Sequence, residues 1–223
     1  MLLPILTEKG YKLQIFYLDR IDSTQRYLKS QLSAKKLNAP IAVCADEQSE
    51  GMGSRQNKWI SQRGNLFFSF ALRLDSLPND LKIESASIYF SYILKEVLAS
   101  YGSKVWIKWP NDFYINEKKI GGTITHISHN HLICGIGLNL IISPKNHSTL
   151  DIIVKKENLL KDYFVNIEKK VLWKQVFSKY KLEFYQNRDV FTHINGAKII
   201  LKDVNLNDDG SLEINGERIY SLR

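Results

Sequence analysis

Four apolar runs crowd into the span from Val105 to Ile141, with almost nothing between them. Pro110 stops the first, Val105 to Trp109. The second, Phe113 to Ile115, meets Asn116-Glu117, and the third, Lys119 to Ile127, turns at Ser128 to Asn130 into the fourth, His131 to Ile141. A parallel pair of strands needs a crossover of a dozen or more residues, whereas an antiparallel pair needs only a tight turn. The centre of this chain is therefore expected to be a run of antiparallel hairpins, with helices supplied from either side.

Upstream, Leu13, Ile15 and Tyr17 alternate as a strand ending at Asp19. Asp22-Ser23-Thr24 offers N-cap oxygens, and Tyr27, Leu28 and Leu32 recur at helical spacing until Asn38-Ala39-Pro40. Ile41 to Ala45 reads as a short buried strand, Gln48 to Gly64 as a long irregular loop, and Asn65 to Leu74 as a second buried strand. Asp80 to Tyr101 carries Ile83, Ala86, Phe90, Leu94 and Val97 on one face and ends at Gly102, which predicts a long helix with a glycine past its C-terminus. Asn166 to Gln186 predicts one amphipathic helix with Leu172, Val176, Tyr180 and Phe184 along its stripe. Beyond Arg188 the pattern changes to short strands, Ala197 to Leu201, Ser211 to Ile214 and Glu217 to Ser221, around NDDG and NG turns. The expected class is α+β, a mostly antiparallel sheet with packed helices over residues 1–187, followed by a small β-rich module over 188–223.

Charge and cysteine usage narrow the functional classes. Thirty-one basic and 23 acidic side chains give a net charge of +8. That balance favours anionic partners, but it is scattered in short pairs with no basic block, so no nucleic-acid binding is expected. No run approaches the roughly 20 apolar residues that span a bilayer. The opening MLLPILTEKGYK lacks a basic n-region and a cleavage site, so no membrane partner is expected and the expected location is cytoplasmic. Cys44 and Cys134 lie in apolar runs without metal or disulfide spacing and read as reduced, half-buried thiols. His126, His129 and His131 cluster at a hairpin turn without a carboxylate or cysteine to complete a ligand set, and read as exposed turn residues.

Four polar segments interrupt this scaffold. Gly51 to Trp59 combines glycines, which let backbone approach a ligand, with a flat indole. Lys108-Trp109-Pro110-Asn111-Asp112 sits where a strand ends, so Asn111 and Asp112 emerge at its rim. Asp112 there is either a hard oxygen ligand for Mg²⁺ or part of a self-bonded turn. Lys118-Lys119-Ile120-Gly121-Gly122 sets a compact cation beside glycines that leave room against a strand. Gly135-Ile136-Gly137-Leu138-Asn139 places two glycines inside a strand, a sign of close packing or of a ligand wall.

Taken together and in order, Asp22-Ser23-Thr24, Gln48 with the Gly51–Trp59 loop, Asn65-Leu66, KWPND, KKIGG and GIGLN closely resemble the biotin–protein ligase family, over about residues 13 to 140 with a weaker match in the tail. The resemblance implies a class II synthetase-like catalytic fold with an SH3-like C-terminal module. It implies ATP and biotin as substrates with Mg²⁺, and a biotin carboxyl carrier protein or carboxylase domain as partner. A homodimer is open.

Ser23, Thr24 and Gln48 match residues that hydrogen-bond the biotin head group, and Gln25 stands beside them. Gly51, Met52, Gly53, Ser54, Arg55 and Trp59 belong to the loop that folds over biotin and its adenylate. Lys119 matches the lysine that bridges the biotin carboxylate and the α-phosphate. Asp112 and Asn139 match positions that place ATP and magnesium. Lys108 and Asn111 belong to the same catalytic segment. Gly122, Thr123, Ile124, Gly135 and Gly137 match the pocket walls.

The chain departs from the family pattern GRGRxGRxW at Met52, Ser54, Gln56 and Asn57, and a phosphate-facing arginine is missing at Ser54. It has Gln25 where asparagine is usual, a segment 61–65 shorter by a residue, and a shortened C-terminal module. The loop departures imply weaker retention of the adenylate. A first strand near residue 13 leaves no room for an N-terminal winged helix, so a ligase without DNA binding is expected. The alternatives are a lipoate or octanoate ligase, which shares the fold class, and a non-catalytic biotin- or nucleotide-binding protein.

Overall fold

The closely spaced apolar runs do pair as hairpins, at one end of a larger sheet. A computed structural model describes residues 2–6, 12–54, 57–194 and 196–220. The elements in chain order are β1 (Leu2–Leu6), β2 (Lys12–Ile21), α1 (Thr24–Ser33), β3 (Ile41–Gln48), β4 (Leu66–Arg73), α2 (Ala86–Ser100), β5 (Trp106–Lys108), β6 (Asp112–Ile115), β7 (Lys118–Ser128), β8 (His131–Leu138), α3 (Lys156–Glu168), α4 (Trp173–Gln186), β9 (Phe191–Ile194), β10 (Ala197–Ile200), β11 (Asn205–Leu206), β12 (Leu212–Ile214) and β13 (Glu217–Ile219). Eight strands form one sheet in the order β1-β2-β3-β4-β8-β7-β6-β5. Only β2 and β3 pair parallel within it, because α1 supplies the crossover. The C-terminal strands pair among themselves, β9 with β10 and β11-β12-β13 together. The fold is thus α+β, with a mixed, mostly antiparallel sheet and a small C-terminal β region.

Alternation along the strands assigns the two faces. Leu66, Phe68, Phe70 and Leu72 of β4 and Leu132, Cys134, Ile136 and Leu138 of β8 enter the main core under α2, α3 and α4. Their neighbours Ala71 and Ile133 face the other way and pack with Leu28 and Leu32 of α1. Each fully buried leucine or phenylalanine contributes about 1.5–3 kcal/mol. Helix α2 is buried nearly all round because the sheet lies on one side and α3 and α4 on the other. It ends as its sequence predicts, with Gly102 at φ +95 just past the C-cap. Among the described residues, no helix is long and apolar enough to cross a membrane.

Three expectations are corrected. The single helix over Asn166–Gln186 is two: α3 stops at Glu168, Lys170 takes φ +48, and α4 starts at Trp173. The second start is capped from afar, since the Asp80 carboxylate accepts the N–H groups of Trp173 (2.8 Å) and Lys174 (3.1 Å). Val176, Tyr180 and Phe184 do form the apolar stripe of α4, while Leu172 lies at its N-cap. The strands β1, β9 and β11 are additional to those expected. The segment from Gln48 to Gly64 is also less irregular than its polarity suggests, as described below.

Candidate active site

Gln48 and Ser61 form an antiparallel bridge, and so do Met52 and Lys58. Gly53 N–H donates to Asn57 O (2.7 Å) and Trp59 N–H to Gly51 O (2.8 Å). The segment is a small hairpin-like flap, folded back on itself and ending with the Trp59 indole against the sheet. Arg55 lies outside the described residues.

Beneath the flap is a narrow cleft. The N-terminus of α1 closes one end. Ser23 caps the helix, its Oγ accepting from Arg26 N–H (3.4 Å). Thr24 donates to Gln48 Oε1 from both N–H (2.9 Å) and Oγ1 (3.0 Å), and Thr24 Oγ1 shares a 2.8 Å hydrogen bond with Ser69 Oγ. Gln48 Nε2 donates to Ser61 Oγ (2.9 Å). Ser69 and Ser61 were not singled out from the sequence. The signal for Ser69 was present, a lone hydroxyl at an inward position of an otherwise apolar strand.

The floor is a row of in-register residues, Gly137, Gly122 and Asp112 on β8, β7 and β6, beside a second row, Ser69, Gly135 and Ile124. The two β8 glycines make room for side chains. A Cβ at Gly137 would lie 2.7 Å from Trp59 Cε2 and Nε1, and one at Gly135 would lie 2.6 Å from Gln25 Oε1. Close packing, one of the two readings of these glycines, is therefore met, because the Trp59 and Gln25 side chains fill the space a Cβ would need; both residues also line the cleft. Gln25 Nε2 donates to Ile133 O (3.3 Å), which turns its Oε1 toward Gly135, where it is buried without a partner. Trp59 Nε1 is likewise buried and unpartnered.

Lys119 reaches the cleft through a β-bulge. The β6–β7 pairing runs Asp112↔Gly122, Phe113↔Gly121 and then Tyr114↔Lys119, so Ile120 is skipped. Ile120 enters the main core, and a Cβ on Gly121 would meet Phe113 there, so two successive residues face the core. Lys119 is thereby turned to the cleft face. Its Nζ sits 2.7 Å from Asp112 Oδ1 and 5.9 Å from the centre of the Trp59 ring. The cation and the flap are thus together.

The cleft lining brings together Ser23, Thr24, Gln25, Gln48, Met52, Gly53, Ser54, Trp59, Asp112, Lys119, Gly122, Thr123, Ile124, Gly135 and Gly137. Four expected residues lie outside it. Gly51 is in the base of the flap. Asn111 braces the wall, its Nδ2 donating to Thr123 O (2.5 Å) and its O accepting from Thr123 N–H (3.0 Å). Thr123 itself turns its hydroxyl to α2, accepting from Ser91 Oγ (2.8 Å). Lys108 Nζ donates to Tyr114 OH (3.3 Å) and lies 5.0 Å over the rings of Tyr114 and Phe191. Burial pulls this ammonium below the usual lysine value; the charge of Asp112 opposes the shift and that of Lys119 adds to it. Asn139 is fully buried, with Nδ2 donating to Ser148 O (3.2 Å) and Oδ1 unpartnered.

Comparison with known proteins follows the same lines. Residues 17–139 match the model of the Biotin/lipoate A/B protein ligase family. The bifunctional ligase/repressor BirA of Escherichia coli is 30% identical over 138 residues, 59% of this chain and 42% of that protein, so the chain spans about two fifths of that relative. A solved structure of biotin acetyl coenzyme A carboxylase synthetase from Helicobacter pylori, with bound biotinylated ATP, superposes with a TM-score of 0.88 at 37% identity and covers 92% of this chain and 98% of that one. The biotin protein ligase from Aquifex aeolicus, solved with biotin and ATP, shares the fold with a TM-score of 0.76 at 24% identity, over 94% and 95% of the two chains.

Proposed function

We propose that this chain, which belongs to the biotin/lipoate A/B protein ligase family, activates biotin with ATP and transfers the biotinyl group to a lysine of a biotin carboxyl carrier protein. The observation that carries the reading is the Lys119–Asp112 pair at the floor of a cleft covered by the Trp59 flap. Biotin's carboxylate and the α-phosphate of ATP repel each other. An ammonium fixed between them lowers the barrier to their meeting. The carboxylate oxygen attacks the α-phosphorus and pyrophosphate leaves, giving biotinyl-5′-AMP. The carrier's lysine amine then attacks the acyl carbon, AMP departs, and the amine loses a proton. The mixed anhydride is hydrolysable, which gives the flap a second task, excluding water.

The closed end of the cleft favours biotin over lipoate. Thr24, Gln48 and Ser69 form a hydrogen-bonded polar cluster, and Gln25 adds a buried oxygen with no partner. These groups suit a ureido head with its N–H and C=O, whereas an apolar dithiolane would leave the Gln25 oxygen unpaired. The relative from H. pylori is named for acetyl coenzyme A carboxylase, which supports a carboxylase carrier as the acceptor.

Magnesium fits at Asp112, whose carboxylate lines the cleft with one oxygen on Lys119. Among the described residues no group of three or more His, Cys, Asp or Glu side chains could hold a metal, so such an ion would be held mainly by phosphates and water. When bound it neutralises phosphate charge. The buried, unbridged Cys44 and Cys134 are in keeping with a cytoplasmic setting.

One assay separates the readings: ATP-dependent transfer of labelled biotin or lipoate to an apo carrier domain. Biotin transfer is expected. Lipoate transfer would move the chain to the other branch of its family, and binding without transfer would make it a non-catalytic relative.

A further inference from the structure

We propose that the C-terminal strands are a positioning device for the Lys108–Asp112 segment, acting through the turn at residues 207–210; this rests on the ligase reading above. Three successive carbonyls of that turn each accept a hydrogen bond from a different part of the chain. Asp208 O takes Trp173 Nε1–H (2.8 Å), at the start of α4. Asp209 O takes Ser85 Oγ–H (2.7 Å), just before α2. Gly210 O takes Trp109 Nε1–H (2.8 Å), within the segment that leads to Asp112.

The turn is built to hold its shape. Gly210 N–H donates to Asn207 O (2.8 Å) and Asn207 N–H to Ser211 O (2.9 Å). Asp209 Oδ1 accepts from Ser211 N–H (3.0 Å) and Ser211 Oγ–H (2.6 Å). Gly210 sits at φ +79, and a Cβ there would lie 2.6 Å from Ile88 Cδ1, so the turn is seated against α2 with no space for a side chain.

The segment is gripped at a second point by another of the C-terminal strands. Phe191 of β9 lies over the Lys108 ammonium at 5.0 Å. Lys108 and Trp109 are therefore each fixed by a group from beyond residue 188. From Trp109, 1% exposed, the path to the chemistry is short. Asn111 is braced to Thr123 by two hydrogen bonds, and Asp112 follows with its 2.7 Å contact to Lys119. Releasing the indole lets this backbone shift, and a displacement of about 1 Å at reacting groups can cost on the order of 100-fold in rate.

The test uses two chemically matched substitutions in the full chain. Trp109→Phe and Trp173→Phe each remove one indole N–H from a carbonyl of the same turn, Gly210 O and Asp208 O respectively, but only Trp109 is joined to Asp112. Biotin-dependent exchange of pyrophosphate into ATP gives kcat and KM, and hydrogen exchange reports on the amides of residues 112–122. Trp109→Phe is expected to lower kcat about tenfold with KM for biotin little changed, and to speed exchange in that hairpin. Trp173→Phe is expected to lower thermal stability without either effect. Phe191→Leu, at a position 38% exposed, is expected to lower kcat a few-fold. Equal hairpin exchange in the two tryptophan variants, or equal kcat losses, would overturn the proposal, as would wild-type kcat in Phe191→Leu. A wild-type chain that forms no biotinyl adenylate counts against the ligase reading alone, because hairpin exchange still decides the coupling.

Discussion

Replacing Lys119 with alanine removes the ammonium paired with Asp112, and the structure sets the size of the loss. Its Nζ lies 2.7 Å from Asp112 Oδ1, with the two side chains 27% and 29% exposed. Partial burial of this kind calls for an effective dielectric near 20, where unit charges about 4 Å apart interact by about 4 kcal/mol. Only the part gained as the two anions meet affects the rate. Loss of a single preorganised charge-stabilising donor costs about 2.7–4 kcal/mol elsewhere, which overlaps that ceiling. Adenylate formation by Lys119→Ala should therefore fall by about 10² to 10³. A second effect has the same sign, since Asp112 would face the incoming phosphates without its cation. Partly exposed pairs contribute at most about 1 kcal/mol to folding, so the melting temperature should barely move. The assay is biotin-dependent pyrophosphate exchange, with thermal unfolding in parallel. Adenylation by a folded Lys119→Ala within about threefold of wild type would show that the anions meet without this cation.

Three further outcomes are expected. In Gly137→Ala the new methyl would lie 2.7 Å from Trp59 Cε2 and Nε1, forcing the indole off the floor at a cost of about 1–3 kcal/mol; KM for biotin should rise and Trp59 fluorescence should shift, and an unchanged KM would separate the flap from biotin binding. Ser54→Arg would place a cation beside the cleft and should slow biotinyl-AMP release by about tenfold or more, from about 1.5–3 kcal/mol for a charged hydrogen bond; unaltered dissociation in stopped-flow would show that position 54 does not govern adenylate retention. Asp209→Asn tests pH dependence. Burial pushes the Asp209 carboxyl up, but hydrogen bonds from Ser211 and the charge of Arg218 and Lys82 outweigh it and hold the group below the usual carboxylate value. A depressed value means stability that is present above about pH 3.9 and is lost as pH falls through the folded-state value. Melting temperatures of the variant should therefore be lower than wild type at neutral pH and converge with it in acid; parallel curves would place the shift elsewhere.

Much of this arrangement was legible in the residues. Short connections fixed the antiparallel order of β5 to β8, Ser23 announced α1, and Gly102 announced the end of α2. The polar segments at 51–59, 108–112 and 118–122 do meet at one cleft. What stayed hidden depends on contacts distant in sequence. The break between α3 and α4 is stabilised by Asp80, some 90 residues upstream, and no local pattern reports such a cap. Glu183, on the amphipathic helix α4, accepts Ile107 N–H (2.7 Å) and pairs with Lys95 (2.7 Å), occupying a backbone donor on the edge strand β5; from sequence it is an ordinary helical glutamate. Asn111 illustrates the converse. Its residue type suited a ligand contact, but the register of β6 and β7 commits both its amide and its carbonyl to Thr123.

The skipped residue at Ile120 has a consequence for anyone wishing to move this chemistry to another scaffold. Along an unbroken strand, positions an even count apart point the same way, so strict parity would select Lys118 as the companion of Gly122 and send Lys119 into the apolar layer. The turn at Asn116-Glu117 and the glycine floor are one step out of phase, and a single isoleucine absorbs the mismatch. Copying the two lysines and two glycines onto a regular hairpin would therefore transplant the wrong ammonium. The portable unit is the irregularity together with its neighbours, and a strand shortened or lengthened by one residue between the cation and the floor would change the chemistry without altering any of the groups that perform it.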